Sequence, residues 1–291
     1  MYPSRFRYEA PTTLDDAVGL LHEGRGEAKV LAGGQSLVPM MKLRFASPEV
    51  LIDINHIPGL GYHRADADGT LRIGALCRHA DLERSGLLAS HHPTMAAAAP
   101  LVADPIVRTR GTFVGSLCHA DPQGDWASVV TALGGHLVVQ GSGGRRTIGI
   151  DEFVTGPFQN LLAPDEIAVE AVIPAAAGER DGGYLKLERR VGDFATAGVA
   201  IALERSGDRV TRAGIGLTGV GSATIDASAA AGALVDRPLG AEATGRAADL
   251  AAEAAQPTSD HRGSADYKRQ VVHTFVTRIL TRISEATERA A

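Results

Sequence analysis

The sequence predicts an α+β fold in which two mixed units precede a third domain with a three-stranded sheet and helices. Short apolar runs alternate with amphipathic stretches as far as Pro174, and residues 175–178, Ala-Ala-Ala-Gly, are typical of a linker. Three strand-like segments and two helical segments follow. Strands and helices grouped in this way, without strict alternation, favour the α+β class.

Composition excludes several classes of function. The 291 residues, of which 44% are hydrophobic, are enough for one or two domains with a sizeable core. A formal net charge of −5 disfavours a nucleic-acid-binding protein. No apolar run approaches the ~18 residues of a membrane-spanning helix, and the first residues lack a signal-peptide pattern, so we expect a cytoplasmic protein.

Hydrophobic periodicity and capping residues place the elements. In the first unit they predict strands near residues 6–8, 29–32 and 51–54, and a helix between the cap sequence at 12–13 and Gly24. In the second unit we expect strands over 71–75, 135–140, 148–153 and 166–173, and helices over 77–88, 95–102 and 126–133. In the third, the pattern predicts strands over 183–189, 197–204 and 209–218 and a final helix from Ser264.

Residues 214–219, Gly-Ile-Gly-Leu-Thr-Gly, match the dinucleotide-binding pattern G-x-G-x-x-G. That fingerprint requires a strand before it and a helix that opens within it. Residues 210–220 alternate throughout as one strand. We therefore interpret these glycines as strand residues in tight packing.

A better candidate for ligand binding follows the predicted strand at 29–32. This first loop consists of Ala32, Gly33, Gly34, Gln35, Ser36 and Leu37. Paired glycines let the backbone approach a ligand, and consecutive amides can form a donor nest for phosphate oxygens. The alternative is an ordinary pair of glycines at the end of a strand.

A second loop, at residues 111–125, supplies Thr112, Gly115 and Ser116 ahead of a helix that we expect to start near Asp125. A helix N-terminus favours anions, and Asp125 can either cap the helix or bind ribose-type hydroxyls. His119, Asp121 and Asp125 could be considered as metal ligands, but they lack the spacing of a metal site, so we expect none.

Nucleophilic and cluster chemistry find no support in the sequence. It contains no G-x-S-x-G, H-E-x-x-H or G-x-x-x-x-G-K motif, and we assign no catalytic residue. Its two cysteines, Cys77 and Cys118, form no C-x-x-C and are expected in the core.

Four motifs along the whole chain resemble the FAD-binding medium subunit of molybdenum hydroxylases, the family of aerobic carbon monoxide dehydrogenase and xanthine dehydrogenase. They are Ala-Gly-Gly-Gln-Ser at 32–36, Gly-Thr-Phe-Val-Gly-Ser at 111–116 with Ala-Asp-Pro at 120–122 and Asp125, Lys-Leu-Glu-Arg-Arg-Val-Gly-Asp-Phe-Ala at 186–195, and Ser-Asp-His-Arg-Gly-Ser-Ala-Asp-Tyr at 259–267.

The resemblance implies a vanillyl-alcohol-oxidase-type (PCMH-type) FAD-binding domain over residues 1–176, with subdomains of about 1–58 and 59–176. It implies a CO dehydrogenase flavoprotein-like C-terminal domain over 177–291. Both loops would hold the FAD diphosphate, the second through Thr112, Val114, Gly115 and Ser116. It further implies that Asp125 accepts hydrogen bonds from ribityl or ribose hydroxyls and that the backbone of Ile167 contacts the flavin. Lys186 would lie near the isoalloxazine, and Phe194 beside that ring.

The same resemblance implies two partners, an iron–sulfur small subunit and a molybdopterin large subunit, in a dimer of heterotrimers. The [2Fe-2S] clusters and the molybdopterin belong to those partners. This chain would pass electrons from the clusters through FAD to an external acceptor, such as a quinone, a cytochrome, NAD or oxygen. Two alternatives stay open: a self-sufficient flavin oxidase of the same fold, and a non-catalytic nucleotide-binding module.

Two positions depart from the family pattern. Val114 stands where the family usually has glycine, and a β-branched residue disfavours positive φ, so we expect a different or strained turn there. Phe194 lacks the hydroxyl of the tyrosine found in some relatives, so any hydrogen bond made by that hydroxyl is lost.

Overall fold

The computed structural model describes residues 2–290, and its first unit is a small parallel sheet with two helices. The strands lie in the order β1-β3-β2, with both outer strands parallel to β3. The elements are β1 (Arg7–Glu9), α1 (Leu14–Glu23), β2 (Ala28–Leu31), α2 (Leu37–Lys42) and β3 (Val50–Asp53). Helix α1 begins as predicted, because Thr13 Oγ1 accepts a hydrogen bond of 3.1 Å from the amide of Asp16.

The second unit is a five-stranded antiparallel sheet in the order β4-β5-β10-β6-β7. Its strands are β4 (His63–Ala65), β5 (Leu71–Gly74), β6 (His136–Gly141), β7 (Gly144–Gly149) and β10 (Ile167–Ile173), and β8 (Val154–Gly156) and β9 (Gln159–Asn160) form a separate hairpin. Its helices are α3 (His79–Glu83), α4 (Gly86–His91), α5 (Pro93–Ala98), α6 (Pro105–Arg108), α7 (Phe113–His119), α8 (Asp125–Leu133) and α9 (Ile150–Phe153).

The C-terminal unit is an antiparallel sheet covered by helices. Its elements are β11 (Glu179–Leu187), β12 (Ala197–Ser206), β13 (Arg209–Thr218), β14 (Ile225–Asp226), α10 (Ser228–Gly232), α11 (Ala241–Ala254) and α12 (Ala265–Ala290). Strand β12 is buried on both faces: Ala200 and Ala202 join the core of the second unit, whereas Val199, Ile201 and Leu203 join the core beneath α10–α12. The C-terminal sheet therefore shares a core with the second unit.

The mixed helix and sheet composition confirms the predicted fold class, with local differences. The C-terminal sheet has a fourth strand, β14, whose two residues are too short for a periodic signal. The predicted strand over 148–153 is wrong, because β7 ends at Gly149 and α9 follows. The predicted helix over 77–88 is two helices, since Ser85 caps a new one by accepting from the amide of Leu88 at 3.2 Å. Helices α2 and α7 were not predicted.

The glycines of the G-x-G-x-x-G segment hold β13 against α8. A Cβ on Gly214 would overlap the carbonyl oxygen of Ala132, and one on Gly216 would overlap that of Ser128. The two positions require glycine because a sheet backbone touches a helix backbone. The interpretation of these glycines as packing residues is confirmed, and it matters for function because α8 begins at Asp125.

No helix among residues 2–290 has both the length and the apolar composition needed to cross a lipid bilayer.

We expect Gly216→Ala to lower the free energy of unfolding by about 1–3 kcal/mol, because the added methyl group pushes β13 away from α8. Gly245→Ala in α11 is the matched control, since nothing lies within 4 Å of a Cβ there and the change favours helix. Denaturant unfolding of both variants makes the comparison. Equal stability of Gly216→Ala and the unaltered chain would contradict the packing interpretation.

Candidate functional site

The first loop, residues 32–37, connects β2 to α2 and exposes main-chain donors. Gly34 has a φ of +73°, a left-handed conformation that favours glycine. The Gln35 side chain donates back to the carbonyl of Gly33 at 3.2 Å. Within the described chain, the amides of residues 33–37 donate to no protein acceptor. The loop therefore offers a run of N–H groups to a ligand.

The segment expected as a loop at 111–125 contains α7, and its part nearest the first loop is residues 110–116, a turn followed by the start of α7. We keep the name second loop for residues 110–116. Thr112 is buried and caps this helix by accepting from the amide of Gly115 at 3.2 Å. Val114 lies in the first turn of α7 with its side chain in the core, so only its backbone faces the loop. The strain expected at Val114 is absent, because its φ is not positive. Gly115 and Ser116 remain partly exposed.

The two loops touch through their main chains. A Cβ on Gly33 would overlap the carbonyl oxygen of Arg110 and lie 2.8 Å from the Cα of Gly111. Gly111 in turn rests on the ring of His79, where a Cβ would lie 2.8 Å from Cδ2. Loops from the first and second units thus form one continuous surface, which we call the cradle.

His79 and Trp126 support the second loop from below. The His79 amide donates to the carbonyl of Gly111 at 3.0 Å, and Trp126 Nε1 donates to His79 Nδ1 at 3.0 Å. Trp126 is fully buried and packs edge-on against Phe113. Burial lowers the pKa of His79 to about 4, helped by the positive charges of Arg108 and Arg78. His79 is therefore neutral, as its acceptor role requires.

Asp125 and Lys186 meet in a buried cluster at the start of α8. The ammonium group of Lys186 lies 3.1 Å from Asp125 Oδ2 and 3.4 Å from Glu188 Oε2, and it donates to the carbonyl of Leu101 at 2.9 Å. Tyr184 donates to Asp125 Oδ1 at 2.6 Å. Glu188 Oε2 is buried without a hydrogen-bond partner among the described residues.

The cluster holds two carboxylates against one ammonium group, which sets its electrostatics. Burial raises the pKa of Asp125, while Lys186 and the hydroxyl of Tyr184 oppose that rise. Burial, reinforced by Asp125, holds the pKa of Tyr184 well above its ordinary value. Tyr184 therefore stays a donor and Asp125 an acceptor. Each Asp125 oxygen has already accepted one bond, so a further hydroxyl would use the remaining lone pairs.

Sequence reasoning singled out Asp125 and Lys186 but missed Tyr184 and Glu188. The cluster takes three side chains from this part of the chain, at intervals of two residues: Tyr184 and Lys186 in β11 and Glu188 just after its end. Side chains alternate along a strand, so this spacing puts them on one face. The two-residue spacing is visible in the sequence, but the residue that these side chains bind, Asp125 on α8, lies 61 residues before Lys186.

The other two predicted contacts lie in different surroundings. The Ile167 side chain is in the core of the first unit with Ala17 and Ile54, so only its backbone in β10 can face a ligand. The Phe194 ring is 50% exposed, and Arg262 donates to the Phe194 carbonyl at 2.7 Å. An exposed aromatic ring suits contact with a planar, partly apolar ligand.

The residues of the cradle fit a dinucleotide diphosphate. A pyrophosphate needs several N–H donors in close sequence and no side chains in the way. The first loop supplies the donors, and the glycine contacts keep the two main chains together. The fold and the site therefore fit a dinucleotide-binding protein.

Comparison with known proteins identifies the family. The model for the FAD binding domain in molybdopterin dehydrogenase matches residues 4–176, and that for the CO dehydrogenase flavoprotein C-terminal domain matches 183–283. The carbon monoxide dehydrogenase medium chain of Hydrogenophaga pseudoflava is 42% identical over 280 residues, 96% of this chain and 97% of that one. The nicotine 6-hydroxylase medium subunit of Paenarthrobacter nicotinovorans is 36% identical over 94% of this chain and 95% of its own.

Solved structures agree with this. Carbon monoxide dehydrogenase from Hydrogenophaga pseudoflava, in a form lacking the Mo-pyranopterin moiety, superposes with a TM-score of 0.92 at 43% identity, covering 97% of this chain and 98% of that one. Quinoline 2-oxidoreductase from Pseudomonas putida 86 gives 0.90 at 29% identity, covering 99% of both. The chain belongs to the family of FAD-binding medium subunits of molybdenum hydroxylases, which confirms the resemblance read from its motifs.

We expect His79 to make stability fall in acid. Its pKa is about 4 in the folded protein against 6.5 as the ordinary value, so the unfolded chain takes up its proton first as the pH drops. About 3 kcal/mol of stability, present above pH 6.5, is lost as the pH falls through about 4. His79→Asn removes the titrating group while keeping an acceptor near the position of Nδ1.

Denaturant unfolding at a series of pH values between 4 and 7 measures this effect. The His79→Asn variant should show a shallower loss of stability than the unaltered chain, and the exposed His56→Asn control should not. An unchanged pH dependence in His79→Asn would rule out a neutral, buried imidazole beneath the second loop.

Proposed function

We propose that this chain binds FAD on the cradle and passes electrons from iron–sulfur clusters of a partner subunit, through FAD, to an external acceptor. The observation that carries the proposal is the main-chain contact between two glycine loops of separate units, beside a run of amides without protein acceptors among the described residues. Membership of a family of FAD-binding medium subunits supports it.

The net charge of the chain makes local dipoles necessary. A diphosphate carries negative charge, and so does the chain, whose formal net charge is −5. Long-range attraction therefore cannot account for binding, and short-range N–H donors must. A hydrogen bond to a charged group contributes about 1.5–3 kcal/mol, so several amides together suffice for tight non-covalent binding.

We propose a role in FAD binding for each of the predicted site residues. Residues 32–37 together with Thr112, Val114, Gly115 and Ser116 hold the diphosphate through main-chain and hydroxyl donors. Asp125 accepts from ribityl or ribose hydroxyls while bound to Lys186 and Tyr184. Lys186 brings its positive charge near the isoalloxazine, the Phe194 ring lies beside it, and the Ile167 backbone contacts it. FAD, when bound, supplies the capacity to take up and release electrons one or two at a time.

The chain's own thiols cannot supply the electrons. An iron–sulfur cluster takes four thiolate ligands, and this chain has only Cys77 and Cys118. Burial raises the pKa of both thiols to about 12, so they stay protonated. We therefore assign the [2Fe-2S] clusters to a small subunit and the molybdopterin to a large subunit. The relatives' names, medium chain and medium subunit, support this assembly.

Further parts of the proposal concern organisation. We place the boundary between the FAD-binding and C-terminal domains near residue 176, which is supported by the two family models and by the gap between β10 and β11. We propose a dimer of heterotrimers that works in the cytoplasm.

Gly33→Val tests the cofactor site directly. The added side chain would force the first loop away from Arg110, and we expect bound flavin to fall at least tenfold. Gly115→Val, which would collide with the capping hydroxyl of Thr112, should have the same effect. Gly19→Val in α1 is the control, because nothing lies within 4 Å of its Cβ position. Flavin released per chain, measured by absorbance after denaturation, is the readout.

The outcomes separate the three candidate functions. Normal flavin content in both loop variants would refute the assignment of the cradle. Binding of ADP with exclusion of FAD would favour a nucleotide-binding module. Turnover of an organic substrate by the isolated flavin-loaded chain would favour a self-sufficient oxidase.

Electron transfer is tested in the assembled complex. We expect a complex containing the Gly33→Val chain to reduce its iron–sulfur clusters when the complex's substrate is added, yet to fail to reduce an external acceptor. Electron paramagnetic resonance follows the clusters, and dye reduction follows the acceptor. Undiminished dye reduction by the flavin-free complex would show that electrons leave by another route.

A further inference from the structure

Two polar side chains, which no motif singled out, connect the loops of the cradle. Asn55 follows β3 in the first unit, and its Nδ2 donates to the carbonyl of Ala32 in the first loop at 2.8 Å. Arg78 precedes α3 in the second unit, and its Nη1 donates to the carbonyl of Arg110 in the second loop at 2.6 Å. Arg78 Nη2 donates to Asn55 Oδ1 at 2.6 Å, which closes the connection.

The amide orientation of Asn55 is fixed by its neighbours. Nδ2 faces two acceptors, the Ala32 carbonyl and Asp53 Oδ1, while Oδ1 faces the guanidinium of Arg78. Rotating the amide by half a turn would oppose acceptor to acceptor and donor to donor. Asp53 is held in turn by the hydroxyl of Tyr8 at 2.7 Å, so the chain of hydrogen bonds is anchored in the first sheet.

The other end of the connection is anchored beside the second loop. On either side of Arg78, the His79 amide donates to the Gly111 carbonyl and the Cys77 carbonyl accepts from the Phe113 amide, both at 3.0 Å. The Arg78 amide itself donates to Asp81 Oδ2 at 3.1 Å. The backbone of the neighbours Cys77 and His79 and the side chain of Arg78 therefore hold the second loop, and the Arg78 side chain also reaches Asn55 in the first unit.

The carbonyl that Arg78 binds is the one on which Gly33 rests. The guanidinium thus lies where the two loops meet. Burial and the neighbouring guanidinium of Arg110 lower the pKa of Arg78, yet an arginine side chain stays protonated in proteins. Two arginines at one junction create a local positive potential in an acidic chain, which favours an anion in the cradle.

We propose that Arg78, held by Asn55, is a positioning residue that fixes the first loop against the second and so sets the affinity of the cradle for the diphosphate of FAD. This inference rests on the proposed function. The connection pre-organises two loops from separate units, so that binding does not have to pay for bringing them together. Among residues 2–290, no direct hydrogen bond joins the first loop to the second, so without this connection the close contact at Gly33 is not backed by hydrogen bonds.

The test compares variants of the full chain, freed of flavin, in titrations with FAD and with ADP. Arg78→Met keeps the length of the side chain but removes its hydrogen bonds and charge, and we expect both dissociation constants to rise at least tenfold. The two should rise by similar factors, because ADP shares the diphosphate and lacks the isoalloxazine. Arg78→Lys, which keeps the charge but not the two-way fork, should fall between. Arg84→Met, an exposed arginine at the end of α3, is the matched control.

A double-mutant cycle separates positioning from a general loss of stability. Asn55→Ala should weaken FAD binding to a similar extent, and the double variant with Arg78→Met should be little weaker than either alone, because both break one connection. Thermal unfolding of the flavin-free variants runs in parallel. Lower stability with an unchanged FAD affinity would overturn the proposal in favour of a structural role.

The remaining outcomes are also distinct. FAD binding by the unaltered chain that Gly33→Val abolishes and Arg78→Met leaves intact would overturn the role of Arg78 and leave the proposed function standing. Weaker binding of FAD without weaker binding of ADP would place the effect away from the diphosphate and also overturn it. An unaltered chain that binds neither ligand would overturn both proposals.

Discussion

The structure depends on one close approach, the contact of the Gly33 backbone with the backbone of Arg110 and Gly111. Each loop alone is an ordinary connection, the first after a parallel strand and the second before a short helix. Their contact places the N–H groups that the first loop offers directly beside the main chain of the second loop, whose Gly111, Phe113 and Gly115 amides already donate within the protein. Because backbone meets backbone, no side chain fits at position 33, and the supports beneath must hold both loops at a fixed distance.

Buried charge is the second constraint on the molecule. Asp125 and Glu188 share the ammonium group of Lys186 in the interior, with Tyr184 donating to Asp125. Such a cluster is weak evidence for stability, because removing its charges from water costs about as much as their attraction returns. Its effect is geometric: it fixes the start of α8 against β11. The glycine contacts between β13 and α8 hold the same helix further along.

Local sequence patterns predict much of this architecture, whereas contacts between residues far apart in the chain are not predicted by them. The Thr13 cap, the alternating strands of the C-terminal sheet and both glycine loops are properties of neighbouring residues. Helix α7 was missed because glycine, serine and a terminal histidine give it a weak helical pattern. The hydrogen bond from Arg78 to Asn55 joins two units of the fold, so no local sequence pattern predicts it.

The cluster around Asp125 also bears on how these chains can be recombined. The carboxylate belongs to the half of the chain that matches the FAD-binding model, whereas Lys186 and Tyr184 come from the half that matches the C-terminal model. Within this cluster the C-terminal half carries both Lys186 and Glu188, whereas the N-terminal half contributes Asp125 alone. A chimera that joins halves from two relatives keeps a compatible interior only when Asp125, Tyr184 and Lys186 are exchanged together, because these three residues bind one another across the two halves.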